Sequence, residues 1–330
     1  MGNTKSTLKS KVLSCFPRKH TPQLTEPQQP EISNQYELRN LEEGKLKKPK
    51  FTYHLSNHND EDIDRQYFNH FFRRHIFQNN FSAPVEEKLI EGGCKVLDVG
   101  PLCCTNVLYI SRCGPGTWLI DLANKYEDSS FFGIDIKSVC LSEIIPENLE
   151  LIEADMFKGL PFPDNEFDFV HQEVMGLIIK AIQWDFVISE LVRVTKPGGF
   201  IECVEYISPE KNGPMMSELY RTHAKICLER GVDTSLTSSL DELISSHPNI
   251  SQVNKDERSF IIGPNGGKIG TTILNILTNF NTSDIATEEI TESQGITKEE
   301  YKKKFAKLNK ELQNTKPKLS ICRFWARKDF

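Results

Sequence analysis

The chain is 330 residues long, 38% apolar and 26% charged, with a formal net charge of −6. No run approaches the ~18 uninterrupted apolar residues of a spanning helix, which excludes a membrane-spanning protein. The chain also lacks the basic excess that supplies most of a nucleic-acid binder's affinity, so no nucleic acid is expected as a partner.

The charge is unevenly spread. The first twenty residues hold Lys5, Lys9, Lys11, Arg18 and Lys19 and no carboxylate, so the acidic balance belongs to the remainder. The sequence opens Met1-Gly2-Asn3-Thr4-Lys5-Ser6, which fits the M-G-x-x-x-[ST] signal for myristoylation of Gly2, and Cys15 is a candidate for palmitoylation. One myristoyl chain binds a bilayer with K of about 10⁴ M⁻¹, so the basic cluster is the expected second signal for an anionic membrane surface. The nine cysteines form no CxxC pair, and no secretory signal precedes them, which fits a reducing cytoplasm with peripheral membrane attachment. From Thr21 to Lys50 prolines, glutamines, asparagines and glutamates dominate, and residues 1–50 read as a disordered tail and linker before a domain at 51–330.

From Asp62 to Asn79 the apolar residues Ile63, Tyr67, Phe68, Phe71, Phe72 and Ile76 recur at helical spacing. Ser82 is placed to cap a second helix, with Pro84, Glu86 and Glu87 in its first turn and Gly92-Gly93 at its end. Short apolar runs follow at Lys95–Val99, Ser130–Ile136, Leu149–Met156, Phe167–Gln172 and Phe200–Ile207. A helix with Trp184, Val187, Ile188, Leu191 and Val192 on one face precedes the last of them, closed by Lys196-Pro197-Gly198-Gly199. This alternation predicts an α/β fold with a mostly parallel sheet. Further helices are expected over Pro214–Arg230, Ser238–Ser246 and Ile269–Phe280, and a strand near Val253–Ile262. Thr297 and Glu300 form a capping box for a lysine-rich helix to Leu312, and Leu319–Arg327 closes the chain as an antiparallel strand.

In such a sheet the ligand lies outside the carboxyl ends of the strands. There the sequence reads Val96-Leu97-Asp98-Val99-Gly100, then Cys113-Gly114-Pro115-Gly116 opening a helix, then Gly133-Ile134-Asp135 and Ala154-Asp155-Met156. An acidic residue ahead of the glycine turn suits a cationic ligand group better than a pyrophosphate. Asp135 suits the two hydroxyls of a ribose, and Asp155 with Met156 suits the amine and face of a base. Amine, ribose and adenine together describe S-adenosylmethionine. As simple helix caps, Asp135 and Asp155 have a purely structural alternative.

Together with Leu160-Pro161-Phe162-Pro163-Asp164-Asn165-Glu166-Phe167-Asp168 and Arg193-Val194-Thr195-Lys196-Pro197-Gly198-Gly199, these segments resemble the class I S-adenosylmethionine-dependent methyltransferases, and among them the fungal LaeA-like group. The resemblance implies a Rossmann-like seven-stranded fold with an antiparallel last strand and a transferase acting on a small-molecule or protein acceptor. It places Asp98, Gly100, Gly114 and Gly116 around the methionine part of the cofactor, Asp135 at the ribose, Asp155 and Met156 at the adenine, and Gln172 beside the sulfonium. One departure stands out: the twelve residues Pro101 to Arg112 separate Gly100 from Cys113, where the family's motif is continuous. Removing them brings Asp98 and Asp135 back near the ~20-residue spacing of a strand-end motif and its ribose ligand. The segment is either a loop that lids or blocks the pocket, or the product of a misplaced splice boundary. The first of these keeps a second function open, a pseudo-methyltransferase that acts as a binding or scaffold protein.

Methyl transfer depends on in-line placement more than on acid or base groups, so a catalytic residue is not required. His171, Glu205 and His223 are the candidates to take a proton from an acceptor. No metal site is expected, because His70 and His75, five apart, do not share a helical face.

Overall fold

The computed structural model describes residues 70–100, 116–136, 145–210 and 212–330. The tail with Gly2 and Cys15, the segment Pro101 to Arg112 and Gly114 lie outside the described residues.

Helix α1 is described over residues 70–77, and α2 spans Glu86–Glu91. Strands β1 (Lys95–Val99), β2 (Ser130–Asp135) and β3 (Leu149–Glu153) follow, with α3 (Thr117–Lys125) between the first two. Then come β4 (Phe167–Glu173), α4 (Trp184–Val194) and β5 (Thr195–Glu210). The carboxyl-terminal part adds α5 (Pro214–Glu229), α6 (Leu240–Ser245), β6 (Ile250–Ile261), α7 (Gly267–Asn281), α8 (Asp284–Gln294), α9 (Lys298–Asn314) and β7 (Lys318–Lys328).

Among the described residues the strands form one seven-stranded sheet in the order β3-β2-β1-β4-β5-β7-β6. Strands β1 to β5 run parallel, and β7 is antiparallel to both β5 and β6. Strand β1 therefore lies between β2 and β4, and the order reverses there. That reversal opens a crevice at the carboxyl ends of β1 and β4, where open α/β sheets bind ligands. The mostly parallel sheet is the one the alternating apolar runs predict, and its seven strands with an antiparallel last one give the Rossmann-like fold that the resemblance implies.

Helix α4 buries Trp184, Val187, Ile188, Leu191 and Val192 on one side of the sheet, in a cluster with Leu97, Val99, Val170 and Ile201. On the other side Phe81, Val85, Leu89, Trp118, Leu119 and Leu122 pack on Val96, Phe131 and Phe169. A third cluster, with Leu219, Ile273, Phe305 and Leu312, lies among the carboxyl-terminal helices, and at ~25 cal/mol per Å² the apolar surface buried in the three is a large favourable contribution to folding.

Several local readings change in three dimensions. Ser82 does not cap α2, whose N-cap is Val85 without a side-chain bond. Its N–H instead donates to Glu202 Oε2 (2.7 Å) and its hydroxyl to Asp256 Oδ2 (3.0 Å). In α1, Phe71 is 55% exposed while His70 and Arg73 are buried, because Arg73 pairs with Glu173 on β4. Strand β5 begins at Thr195, so Lys196 to Gly199 fall within it, where the pairing with β4 shifts register. The segment predicted as a helix from Ser238 starts as a 3₁₀ turn, Thr234–Ser239, and β3 ends before Met156, which opens another. Helix α8 was not expected. Its acidic, β-branched sequence has weak helical periodicity, although Ser283 caps it and Gly295 closes it in the left-handed region.

Candidate active site

The described sequence-predicted cofactor residues lie at the carboxyl ends of β1 to β4 and at the start of α3. Gly100 follows β1 with φ +81° and donates its N–H to Ile134 O (2.7 Å) on β2. A side chain there would be strained by that φ, and its Cβ would meet Met175 Sδ at 2.8 Å. Gly116 is left-handed at the N-cap of α3, with φ +76°.

Asp98 is buried on β1 and its Oδ1 lies 2.8 Å from Nδ1 of His171, its register partner on β4. The His171 ring stacks on Trp118, with centroids 4.0 Å apart and planes 12° from parallel. Trp118 is held in turn by its indole N–H donating to Asn80 O (2.9 Å). Asp98 and His171 thus form a buried dyad. Asp135 ends β2, buried, and its carbonyl accepts from Ala154 N–H (2.9 Å) at the start of the segment carrying Asp155. Asp155 caps the 3₁₀ turn Met156–Lys158, accepting from Phe157 N–H (3.0 Å), with Lys158 Nζ at 3.4 Å. The cap geometry is therefore present at Asp155. Met156 is buried in the cluster with Leu160 and Val187.

Gln172 is 1% exposed near the end of β4, and among the described residues neither its Oε1 nor its Nε2 has a hydrogen-bond partner. A buried amide left in this state costs about 1–3 kcal/mol for each polar group, a penalty that a polar ligand at the strand ends would relieve.

The other candidates separate by location. Glu205 on β5 is fully buried and accepts the N–H groups of Met175 (2.7 Å) and Gly176 (2.8 Å), so it faces the turn after β4. Burial pushes its carboxyl up to about 8, against the pull of those two donors. His223 sits inside the helical layer, its Nε2 2.8 Å from Asn281 Oδ1, and burial lowers its pKa to about 4. It is joined to α7, and Tyr301 on α9 donates to the same residue's carbonyl. His70 is buried with its Nε2 3.6 Å from Asp121 Oδ2, and burial lowers its pKa while the nearby Asp121 carboxylate opposes the change. Among the described residues no group of three or more His, Cys, Asp or Glu is placed to hold a metal ion.

Sequence reasoning missed two features of this region. Arg73, Glu173 and Arg323 line a small cavity with His70, Asn80, Trp118 and His171. The turn Val174-Met175-Gly176 follows Gln172 and was not singled out, although a valine at φ +52° is uncommon for a β-branched residue. No local sequence signal marks either feature, because both depend on contacts between distant elements.

Residues 111–199 match a family model described as a methyltransferase domain, a span from before α3 through β2, β3, β4 and α4 into β5. Demethylmenaquinone methyltransferase from Bacillus licheniformis is 34% identical over 107 residues, covering 31% of this chain and 45% of that protein. An N-methyltransferase from Clonostachys rogersoniana is 29% identical over 174 residues, 51% of this chain and 55% of that protein. The secondary metabolism regulator LaeA from Coprinopsis cinerea is 25% identical over 166 residues, 46% of this chain and 41% of that protein. The chain spans about half the length of the curated relatives it matches.

Proposed function

We propose that the chain is an S-adenosylmethionine-dependent methyltransferase acting on a small-molecule or protein acceptor, and that it groups with the LaeA-like proteins. The observation that carries this reading is the buried amide of Gln172, without a partner among the described residues, at the reversal of strand order and inside the segment matching the methyltransferase model. The donor set fits the cofactor. Gln172 offers both a donor and an acceptor, Asp135 is a buried carboxylate at the end of β2, and Gly100 keeps the backbone free of a side chain. Bound there, S-adenosylmethionine supplies a methyl group on a positively charged sulfur. The chain's own part is to hold and orient: Asp135 accepts from ribose hydroxyls, Asp155 and Met156 border the adenine, Asp98, Gly100, Gly114 and Gly116 border the methionine, and Gln172 lies near the sulfonium. Positioning of two reactants of this kind contributes ~7–11 kcal/mol to lowering a barrier.

Calorimetric titration with S-adenosylhomocysteine tests the reading, on the full chain and on a form lacking Pro101 to Arg112. Tighter binding by the shortened form assigns the segment to a misplaced splice boundary or a blocking loop, and equal affinity removes both. Asp135→Ala is expected to weaken binding about 10- to 100-fold, the range for a lost hydrogen bond to a charged group. No binding by either form would leave the methyltransferase reading without support.

The amino terminus supports a second proposal, attachment to an anionic membrane surface through myristoylated Gly2, the basic residues and Cys15. Among the described residues no helix is long and apolar enough to cross a membrane. Gly2→Ala is expected to move the protein from the membrane to the soluble fraction on cell fractionation. Unchanged sedimentation with membranes would refute the anchor.

A further inference from the structure

Behind Gln172 the chain makes a turn whose conformation is imposed from outside. Val174 adopts φ +52°, a region that β-branched side chains seldom enter, while its N–H donates to Val204 O (2.7 Å) on β5. The next two N–H groups, of Met175 and Gly176, both point at Glu205 Oε1, at 2.7 and 2.8 Å. The carbonyl of Met175 then accepts from Ile178 (2.9 Å) and Ile179 (3.0 Å), so every polar backbone contact of Met175 is engaged. Gly176 has no room for a side chain, since a Cβ would lie 2.2 Å from Thr237 Cγ2 and 3.0 Å from Glu205 Oε2. The turn is clamped on one side by Glu205. On the other, the buried Met175 side chain rests on Gly100, with Sδ at 2.8 Å from the position of a Gly100 Cβ.

We propose that Glu205 is a positioning residue: through the amides of Met175 and Gly176 it fixes the turn after β4, and Met175 in turn fixes the backbone at Gly100. This rests on the reading that these strand ends hold the cofactor. Glu205 acts through the turn and does not touch the reacting atoms. The carboxyl is suited to this role because one oxygen receives both donors whether or not the other oxygen carries a proton. Burial keeps it mostly protonated at pH 7, so glutamine closely mimics the side chain there, whereas alanine strands two buried donors.

The test compares Glu205→Ala and Glu205→Gln with the unaltered full chain at pH 7, by S-adenosylhomocysteine calorimetry and by amide hydrogen exchange. Alanine is expected to raise the Kd about tenfold or more, and glutamine to restore it to within about threefold. A folded alanine variant with unaltered affinity overturns the proposal. If that variant does not fold, Met175→Ala decides with Glu205 intact: weaker binding upholds the link to Gly100 and unchanged binding overturns it. If the unaltered chain binds no S-adenosylhomocysteine, the cofactor reading fails by itself and exchange rates decide the positioning. Faster exchange at Met175, Gly176 and Gly100 in the alanine variant upholds it, and a change confined to Met175 and Gly176 overturns it.

Discussion

Glu205→Gln is expected to leave stability unchanged near pH 4 and to make the protein markedly more stable than the unaltered chain above pH 8. The folded carboxyl titrates at about 8 and the unfolded one at its ordinary 4.5, so between these values the native state holds a proton that the unfolded state has lost. Stability falls with pH wherever the native state binds more protons, and the loss is complete once pH passes the folded value. A separation of this size corresponds to roughly 5 kcal/mol, comparable to the entire stability of many domains. The titratable side chains beside Glu205 are Cys203 on the same strand and Cys322 opposite it on β7, both thiols that burial pushes up, so neither offsets the effect below pH 8. Urea midpoints for both proteins at pH 4, 7 and 9 measure it. Parallel curves would show that Glu205 is not desolvated as the structure has it.

Glu202→Ala is expected to destabilise the protein by about 3–5 kcal/mol, the usual result of removing one partner of a buried ion pair. Glu202 is fully buried on β5 and its Oε2 accepts the N–H groups of Ser82 and Ala83, each at 2.7 Å. Its Oε1 lies 3.5 Å from Nε of Arg323 on β7. Arg323 is 3% exposed, stacks on Phe77 with 4.0 Å to the ring centroid, and donates to Asn79 O (2.9 Å). The pair thereby ties the connection from α1 to α2 across the sheet. Alanine takes away the guanidinium's main acidic neighbour and leaves it Asp256, in a site where burial already disfavours its charge. Combining Glu202→Leu with Arg323→Met is expected to recover part of the loss, since two apolar groups carry no buried charge, but not all, because two backbone donors remain unmet. Denaturant unfolding of the single and double variants gives the coupling directly. A single-variant cost under about 1 kcal/mol would be incompatible with a buried pair.

The strands before the site were legible because apolar runs bounded by glycine and acidic residues are a local pattern, and Lys95–Val99 appears as read. The capping box of Thr297 and Glu300 was legible for the same reason, and both its reciprocal bonds form. Asp98 was legible as a strand-end acid, but its pairing with His171 was not: the two meet through the register of β1 and β4, which no local spacing reveals. Gln172 entered through a family resemblance, and its unpartnered amide is visible only once the sheet is assembled around it.

Sequence by itself determined the alternation of strand and helix, the acidic and glycine-rich strand ends, the basic tip with Gly2, and the interruption between Gly100 and Cys113. Hydrophobic periodicity and turn chemistry act over a few residues, so they can be read one segment at a time. Tertiary structure alone decided where the buried charges went. Glu202 reaches Ser82 and Arg323, Glu205 reaches Met175 and Gly176, and Arg73 reaches Glu173, each across elements separated in the chain. A polar side chain is forced into partnership by the cost of burial, and which partner is near is fixed by sheet order and register rather than by neighbours in sequence.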